Sequence, residues 1–334
     1  MATNIRDVAK AAGVSVATVS KVLNGYTTVN QQTKERVLKV VKEKQFRPNA
    51  AARSLVGRRS MMIGVFLTTG LAHPFFTPIL AGMEQSLKAK GYDLIYLAQF
   101  TWEKEYSFVR HCQSRNVEGV VVFGFQHSDM NFTELSEAGI PTLFIDLDVD
   151  APRTGAISSN NTEAVQHAVQ YLKEINHEQI AFLSGYEDTY VSRCRLAGYE
   201  AGMRLAGLAI PIDYVVASDF TKQGGYTAMR ELLAHPSRPT AVICSSDMGA
   251  IGAITAIREA GLAVPEDISV IGFDDIELAS HVHPPLTTIR QNTDEMGRKA
   301  VELLDQLINN IETASVQAII PTELVIRASS AQRG

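Results

Sequence analysis

The sequence predicts a small all-α head of helix-turn-helix type joined to an α/β body with two doubly wound parallel sheets. Three observations carry that expectation. The first 60 of the 334 residues hold 12 Lys or Arg against 3 Asp or Glu, a net of +9, whereas the other 274 carry 19 against 33, a net of −14. Apolar residues recur at helical spacing in three short stretches before residue 45, and from about Met61 short β-rich runs alternate with helical stretches. A basic head on an acidic body is the charge footprint of a nucleic-acid-binding module attached to something that does not touch nucleic acid. A solvated basic helix explains the charge alone equally well.

Composition sets the outer bounds. With 46% hydrophobic and 20% charged residues the chain is globular, and it is long enough for two or more cores. No apolar run approaches the roughly 18 residues that span a bilayer. The start "MATNIRDVAK" lacks the layout of a secretory signal, which predicts a cytoplasmic protein with no membrane partner. Three cysteines, Cys112, Cys194 and Cys244, with no CxxC spacing, suggest buried thiols in a reducing compartment rather than disulfides or a zinc site.

In the head, Ile5, Val8, Ala9 and Ala12 form an amphipathic stripe, and Gly13 is placed to end that helix in a left-handed cap. Ser15 can cap a second helix whose inward stripe is Val19, Val22 and Leu23, leaving Val16, Ala17, Ser20 and Lys21 outward. A third helix begins at the Asn30 cap, with Val37, Val40 and Val41 inward and Lys34, Lys39 and Lys42 outward. Three short helices with a tight turn between the first two form a helix-turn-helix, whose second helix enters the DNA major groove. Small side chains at that helix start allow close backbone approach and methyl contact with thymine, which makes Val16 and Ala17 the candidate base readers. Thr18, Ser20 and Asn24 suit phosphates, and Lys21 suits a phosphate or a guanine edge. Ile5, Arg6, Ser15 and Asn30, at the helix starts, complete the candidate DNA contacts of the head.

The stretch "IRDVAKAAGVSVATVSKVLNG" followed by "VNQQTKERVLKVVKEKQFRPNAAARSL" resembles the lactose/galactose repressor (LacI/GalR) family of bacterial transcription factors over some 50 positions, and scattered motifs continue through the body. That resemblance implies a hinge that becomes helical only on operator DNA. Paired hinge helices would enter the minor groove, with one leucine from each wedging into a base step. Here the hinge is "RPNAAARSLVGRRS", Leu55 stands at the wedge position, and Asn49 and Ala52 are further candidate DNA contacts. Pro48 and Asn49 suit a helix start and the alanines favour helix. So short a helix does not persist alone in water, and unstacking a base step is repaid by the wider contact of a bent duplex. A linker role for Leu55, packed on the body, is the plain alternative. The division is therefore 1–47 for the DNA-binding head, 48–60 for the hinge and 61–334 for the core.

The body reads as repeated βα winding. "MIGVFL", "YDLIYLA", "VEGVVVFG", "PTLFIDL", "QIAFLSG", "YVVASDF", "TAVICSSD" and "ISVIGFDD" are short runs of the kind buried in parallel sheets. Helical stretches between them include 79–90, 162–175, 223–234, 249–260 and 294–310. Ligands of such sheets sit at the carboxyl ends of the strands, and two facing sheets make a cleft. The family resemblance implies two subdomains of periplasmic-binding-protein type joined by three crossings, near Asn160, Gln291 and Pro321. The N-subdomain is then about 61–160 and 292–320, and the C-subdomain about 161–291 and 321–330.

By the same resemblance Arg195, in "RCRLAGY", aligns with the family arginine that grips the ligand, and Asp274, in "IGFDDI", with its acidic contact. The roles of Asp274 and Asp275 are open to exchange at this point. Phe220, in "SDFTKQGGY", falls where relatives place a stacking aromatic. Phe75 and Phe76, in "HPFF", cap the first strand near the cleft or belong to the core. Asp146 and Ser246 complete the candidate effector contacts. An arginine, an acid and a flat apolar face together resemble a carbohydrate site. Three departures put the effector's identity in doubt: Asn160 and Asn161 replace the common Asp-Asn pair, Ser246 and Asp247 the common Asn-Asp, and His73 the asparagine before Pro74.

Function classes narrow accordingly. The expected protein is a homodimeric, effector-gated repressor on near-palindromic operator DNA, sensing a sugar or sugar derivative. The alternative is a regulator recruited by its ligand or by a partner protein and sensing a metabolite such as a nucleobase. The family's tetrameric member carries an extra leucine-repeat helix, whereas this chain stops at "ELVIRASSAQRG", which predicts a dimer. A transport receptor for sugars would need an export signal. No GxGxxG, P-loop, HExxH or GxSxG motif is present, so an enzyme is not expected, and neither a cofactor nor a metal. His281 and His283 lack a third ligand and read as loop.

Overall fold

The computed structural model of the chain describes residues 4–23, 26, 28–46, 59–67, 73–98, 106–124, 134–135, 137–148, 151–309 and 315–334. It divides into two compact units, Met1–Met61 and Met62–Gly334.

In the first unit each of three helices starts or ends where the side chains allow it. Helix α1 (Ile5–Ala12) opens on a capping box in which Asn4 Oδ1 accepts N–H bonds from Arg6 and Asp7 while the Asp7 carboxylate accepts the Asn4 N–H. It closes at Gly13, whose φ of 65° is the left-handed conformation that favours glycine. Helix α2 (Val16–Leu23) starts at Ser15, whose Oγ accepts the Thr18 N–H at 3.1 Å. Helix α3 (Gln31–Glu43) starts at Asn30, whose Oδ1 accepts the Thr33 N–H at 2.8 Å. The three stripes meet in a core of Val8, Ala9, Ala12, Val19, Val22, Val37, Val40 and Phe46, with Leu23 and Val41 half-buried at its margin. Phe46, just beyond α3, closes the base of this core and was no part of the predicted stripe.

The second unit holds two six-stranded sheets. The first contains β1 (Met62–Leu67), β2 (Asp93–Tyr96), β3 (Gly119–Phe123), β4 (Thr142–Ile145), β5 (Thr154–Ser159) and β11 (Val316–Ile320), in the order β11-β5-β4-β3-β1-β2, all parallel. The second contains β6 (Ile180–Leu183), β7 (Val215–Val216), β8 (Ala241–Cys244), β9 (Ser269–Asp274), β10 (Thr287–Gln291) and β12 (Thr322–Val325), in the order β12-β10-β9-β8-β6-β7, with β12 antiparallel at its edge. Strands β3, β4, β6, β8 and β9 are buried at every position, as apolar runs covered on both faces should be.

Helices supply the covers. On the first sheet, α4 (Phe76–Lys90) pairs with α10 (Thr293–Asn309), and α5 (Phe108–Arg115) shares a core with Phe66, Val120, Val122 and Phe144. Gly82 and Gly297 make the α4–α10 approach possible, because a Cβ on either would strike backbone of the other helix. On the second sheet, α6 (Asn161–Glu174) pairs with α7 (Tyr190–Leu205), and α8 (Lys222–Ala234) with α9 (Asp247–Glu259). These pairs enclose two separate apolar cores.

The predicted strands appear with two changes. "YVVASDF" contributes only the two residues of β7, and the segments Thr154–Ser159, Thr287–Gln291, Val316–Ile320 and Thr322–Val325 are strands beyond the predicted runs. Strand β5 lies in the first sheet and β6, after α6, in the second. Strand β10 lies in the second while the following α10 packs on the first, and only Pro321 separates β11 from β12. The chain thus passes between sheets at three places. Ser159 Oγ donates to Gln291 Oε1 at 2.6 Å and Thr322 Oγ1 to Asn160 Oδ1 at 2.7 Å, tying those passages to one another.

Candidate functional site

The head presents one helix face unused by its own core. On α2, Val16 is 40% exposed, Ala17 and Lys21 are exposed, and Thr18 and Ser20 are half-buried. Ser15 and Thr18 share a hydroxyl hydrogen bond of 2.9 Å, which holds the helix start in shape. Arg6 and Asn30 are exposed and Ile5 is half-buried. Asn24, Asn49, Ala52 and Leu55 lie outside the described residues. Small and methyl-bearing side chains on an exposed, capped helix start fit the major groove, where the backbone must come close to base edges.

In the second unit the carboxyl ends of both sheets face a cleft of about 590 Å³. Its lining includes Phe75, Phe76, Phe123 and Asp146 from the first sheet's side, and Tyr186, Arg195, Phe220, Ser246 and Asp274 from the second's. All seven residues expected at the effector site therefore line one cavity. Phe75 and Phe76 are 8% and 9% exposed, so the core reading and the cleft reading of them both hold. Phe76 packs edge-on against Phe123, with ring centroids 5.3 Å apart, at the end of β3.

Arg195 is the centre of the floor. It projects from α7, is 3% exposed, and stacks over the Phe273 ring at 3.6 Å. Its Nε donates to Asn161 Oδ1 at 2.7 Å and its Nη1 to the Ser245 carbonyl at 2.5 Å. Asn161 Nδ2 in turn donates to Ser158 Oγ, and Ser158 Oγ donates to Asp146 Oδ1 at 2.7 Å. A chain of side chains thus joins the arginine of one lobe to the carboxylate of the other. Among the described residues, Arg195 makes no direct ion pair with Asp146 or Asp274, and all three line the cleft.

The two acids at the end of β9 have separate tasks. Asp274 is 8% exposed, lines the cleft, and accepts from Gln291 Nε2 at 2.7 Å through Oδ1. Asp275 pairs with Arg290 Nε and with Arg327 Nη2, each at 2.7 Å, and so braces β10 and the segment after β12. Burial pushes the Asp274 carboxyl up to about 7, against the opposing pull of Arg195. Burial raises Asp146 as well, and lowers Arg195 from the usual guanidinium value. Behind them Asp247 is fully enclosed and raised well above the carboxylate range by burial, with Asp274 next in effect, and it accepts from Thr288 Oγ1 and the Ile276 N–H.

Backbone strain gathers at the same place. Asp146, Phe220, Asp274 and Asp275 all have positive φ, at 64°, 62°, 122° and 56°. Such conformations cost about 1–3 kcal/mol each and persist where the surroundings over-determine them, as at ligand sites. Phe220 is fixed further by Gly185, since a Cβ there would enter its ring, and by Ser246 Oγ, which donates to the Phe220 carbonyl at 3.0 Å. Ser246 also caps α9 through the Gly249 N–H. Residue reasoning missed Asn161, Tyr186 and Gln291 as site residues. The one signal was the amide pair at the start of α6, where Asn160 departs from the family's Asp-Asn and the buried Asn161 keeps its amide, since a buried amide needs partners.

A helix-turn-helix joined in one chain to a two-lobed core with a buried polar cleft defines a ligand-responsive DNA-binding regulator. Comparison with known proteins agrees. Residues 4–49 match the family of bacterial regulatory proteins of lacI type, and residues 169–330 match the periplasmic binding protein-like domain. The chain is 37% identical to the ribose operon repressor of Escherichia coli (strain K12) over 99% of its own length and 100% of the relative's. It is 36% identical to the HTH-type transcriptional repressor PurR of Pasteurella multocida over 100% of both. A solved lac repressor dimer bound to operator and the anti-inducer ONPF is similar at a TM-score of 0.85 and 30% identity, covering 99% of this chain and 100% of that one. The chain belongs to the LacI family: it is a transcriptional repressor that binds DNA through its head and responds to a small-molecule effector. No helix among the described residues is long and apolar enough to cross a membrane.

Proposed function

We propose that the protein works as a homodimer in the bacterial cytoplasm, binding a near-palindromic operator, and that its effector is a sugar bound in the cleft of the core. The observation that carries the sugar reading is that Arg195, Asp146 and Asp274 line one cleft together with the rings of Phe75, Phe76 and Phe220. Polar groups at the floor suit the hydroxyl edge of a sugar, and the rings suit its apolar face. The names of two similar proteins support it: the ribose operon repressor, and a CelR–cellobiose complex at a TM-score of 0.77 and 30% identity. The dimer rests on the similarity to the lac repressor dimer on operator.

In this reading residues 1–47 read the DNA, 48–60 form the hinge with Leu55 as its wedge, and 61–334 bind the effector and the second subunit. Val16 and Ala17 contact base edges, Thr18, Ser20 and Asn24 contact phosphates, and Lys21 contacts either. The protein catalyses nothing and holds no cofactor or metal. Closing the cleft would move one lobe against the other and alter the spacing of the two hinges. A coupling of about 1–3 kcal/mol shifts operator affinity by about 5 to 150-fold. Titrating operator with and without each candidate sugar tests this reading. A sugar that binds the core yet leaves operator affinity unchanged counts against it, and a nucleobase that strengthens operator binding supports the ligand-recruited alternative.

A further inference from the structure

We infer that the effector is an uncharged sugar, and that the cleft rejects sugar acids and sugar phosphates because the Nε edge of its single arginine is closed while three acidic side chains face the ligand. The inference rests on the reading of the cleft as the effector site.

Among the described lining residues, Arg195 is the one permanent cation, set against Asp146, Asp219 and Asp274. His73 adds no positive charge at neutral pH, since burial lowers it from its usual value. Recognition of a ligand carboxylate by arginine is strongest when two parallel N–H bonds reach it from one edge of the guanidinium. Here Nε is taken by Asn161 and one Nη1 proton by Ser245, so the Nε edge is closed and no side-on pair can form. A ligand anion on the remaining Nη groups would lie beside the buried Asp146 and Asp274 carboxyls; burial already disfavours their charged forms, and an anion next to them must either meet like charge with little solvent to screen it or force them to stay protonated.

A neutral polyol meets the same groups differently. Asp146 accepts from Ser158, and Asp274 from Gln291 and from the Asp247 backbone, and a carboxylate has about four acceptor sites. Both carboxyls line the cleft, so their remaining capacity takes sugar hydroxyls, while an Nη2 proton donates to a ring or hydroxyl oxygen. Phe220 and the exposed Tyr186, with centroids 5.8 Å apart, cover the rim and suit the C–H face of a ring. No counter-charge is required of the ligand.

The test is calorimetric titration of the full-length protein with matched sets: ribose, glucose, galactose and cellobiose, the uronic acids of the hexoses, the terminal phosphates of the monosaccharides, and the purine bases. A neutral sugar is expected to bind, with its acid and its phosphate at least about tenfold weaker, or about 1.4 kcal/mol. Asp146→Asn is expected to narrow that gap by raising affinity for the acid relative to its neutral parent. Asp219→Asn, at the rim and outside the buried network, should do the same to a smaller extent. An acid or phosphate that binds more tightly than its neutral parent overturns the inference, as does a gap unchanged in both variants. A purine that binds in a manner sensitive to Phe220→Ala overturns it while leaving the cleft as the effector site. Binding insensitive to both Phe220→Ala and Asp274→Asn overturns the cleft reading itself, and no binding across the panel counts against the sugar effector and this inference together.

Discussion

Arg195 Nε donates to Asn161 Oδ1 at 2.7 Å inside the second lobe, and through Ser158 that amide is linked to Asp146 in the first. The cleft arginine is therefore positioned by a residue whose own hydrogen bonds reach across to the opposite lobe. Replacing Asn161 by Ala leaves a buried charged N–H unpartnered, which should cost about 1–3 kcal/mol of stability. Effector affinity should fall with it, while operator affinity without effector stays near the parent's. Chemical denaturation and calorimetry check both. Unchanged effector binding would mean that Arg195 holds its place without the amide.

If the cleft binds the effector as proposed, its carboxyls should make that binding sensitive to pH. Burial pushes the Asp274 carboxyl from an ordinary 3.8 up to about 7, with Arg195 and Gln291 opposing, and raises Asp146 and Asp247 as well. Between those values the folded chain holds a proton that the unfolded chain has released. The group therefore favours folding fully below about 4, and that contribution is lost as pH rises through about 7. In the proposed complex sugar hydroxyls donate to the ionised carboxylate, so effector affinity should rise from about pH 6 to 8, with up to about one proton released on binding at the acid end. Calorimetry in buffers of different ionisation enthalpy reads this directly. Asp274→Asn should flatten the profile, and an affinity that falls with pH would contradict the hydroxyl-to-carboxylate geometry.

On the recognition helix, two exposed residues should fail differently. Val16→Ala removes methyl contact at a base edge and should relax preference at one position of each half-site by about 1–3 kcal/mol. Lys21→Ala, if Lys21 serves a phosphate, should weaken all duplexes alike and reduce the salt slope by about one. Binding to a set of single-base operator variants at several salt concentrations separates the two, and equal behaviour of both variants would remove Val16 as a base reader.

Leu55→Ala should weaken binding to the operator far more than to random DNA, because a wedge acts only on the deformed duplex. Equal losses on the two duplexes would assign Leu55 to the linker instead.

Much of this molecule was readable before any coordinates because its signals are local. Gly13, Ser15 and Asn30 punctuate the head through bonds no more than a few residues long, and runs such as Val120–Phe123 and Val242–Cys244 are apolar because both faces of their sheets are covered. Strand β5, "TGAISS", escaped notice because its small and hydroxylated side chains read as a turn, although all six positions are buried. The division of labour between Asp274 and Asp275 was open for a different reason. It is set by Arg290 and Arg327, which lie far along the chain and meet Asp275 only once β10 and β12 have formed. The place of Arg195 in the cleft was legible through resemblance, but its commitment to Asn161 and Ser245 was not, since neither partner is near it in sequence.

The central claim, a paired DNA reader controlled from the cleft, is met most directly by selecting duplexes from a randomised library with the full-length protein at about 0.15 M salt, then measuring affinity for the selected sequence with and without the sugar that binds the core. The expected result is a two-fold-symmetric site, bound at least about a thousandfold more tightly than random DNA, whose affinity shifts on adding the sugar by about 5 to 150-fold. Enrichment of no symmetric sequence, with equal affinity for selected and random duplexes, would contradict it.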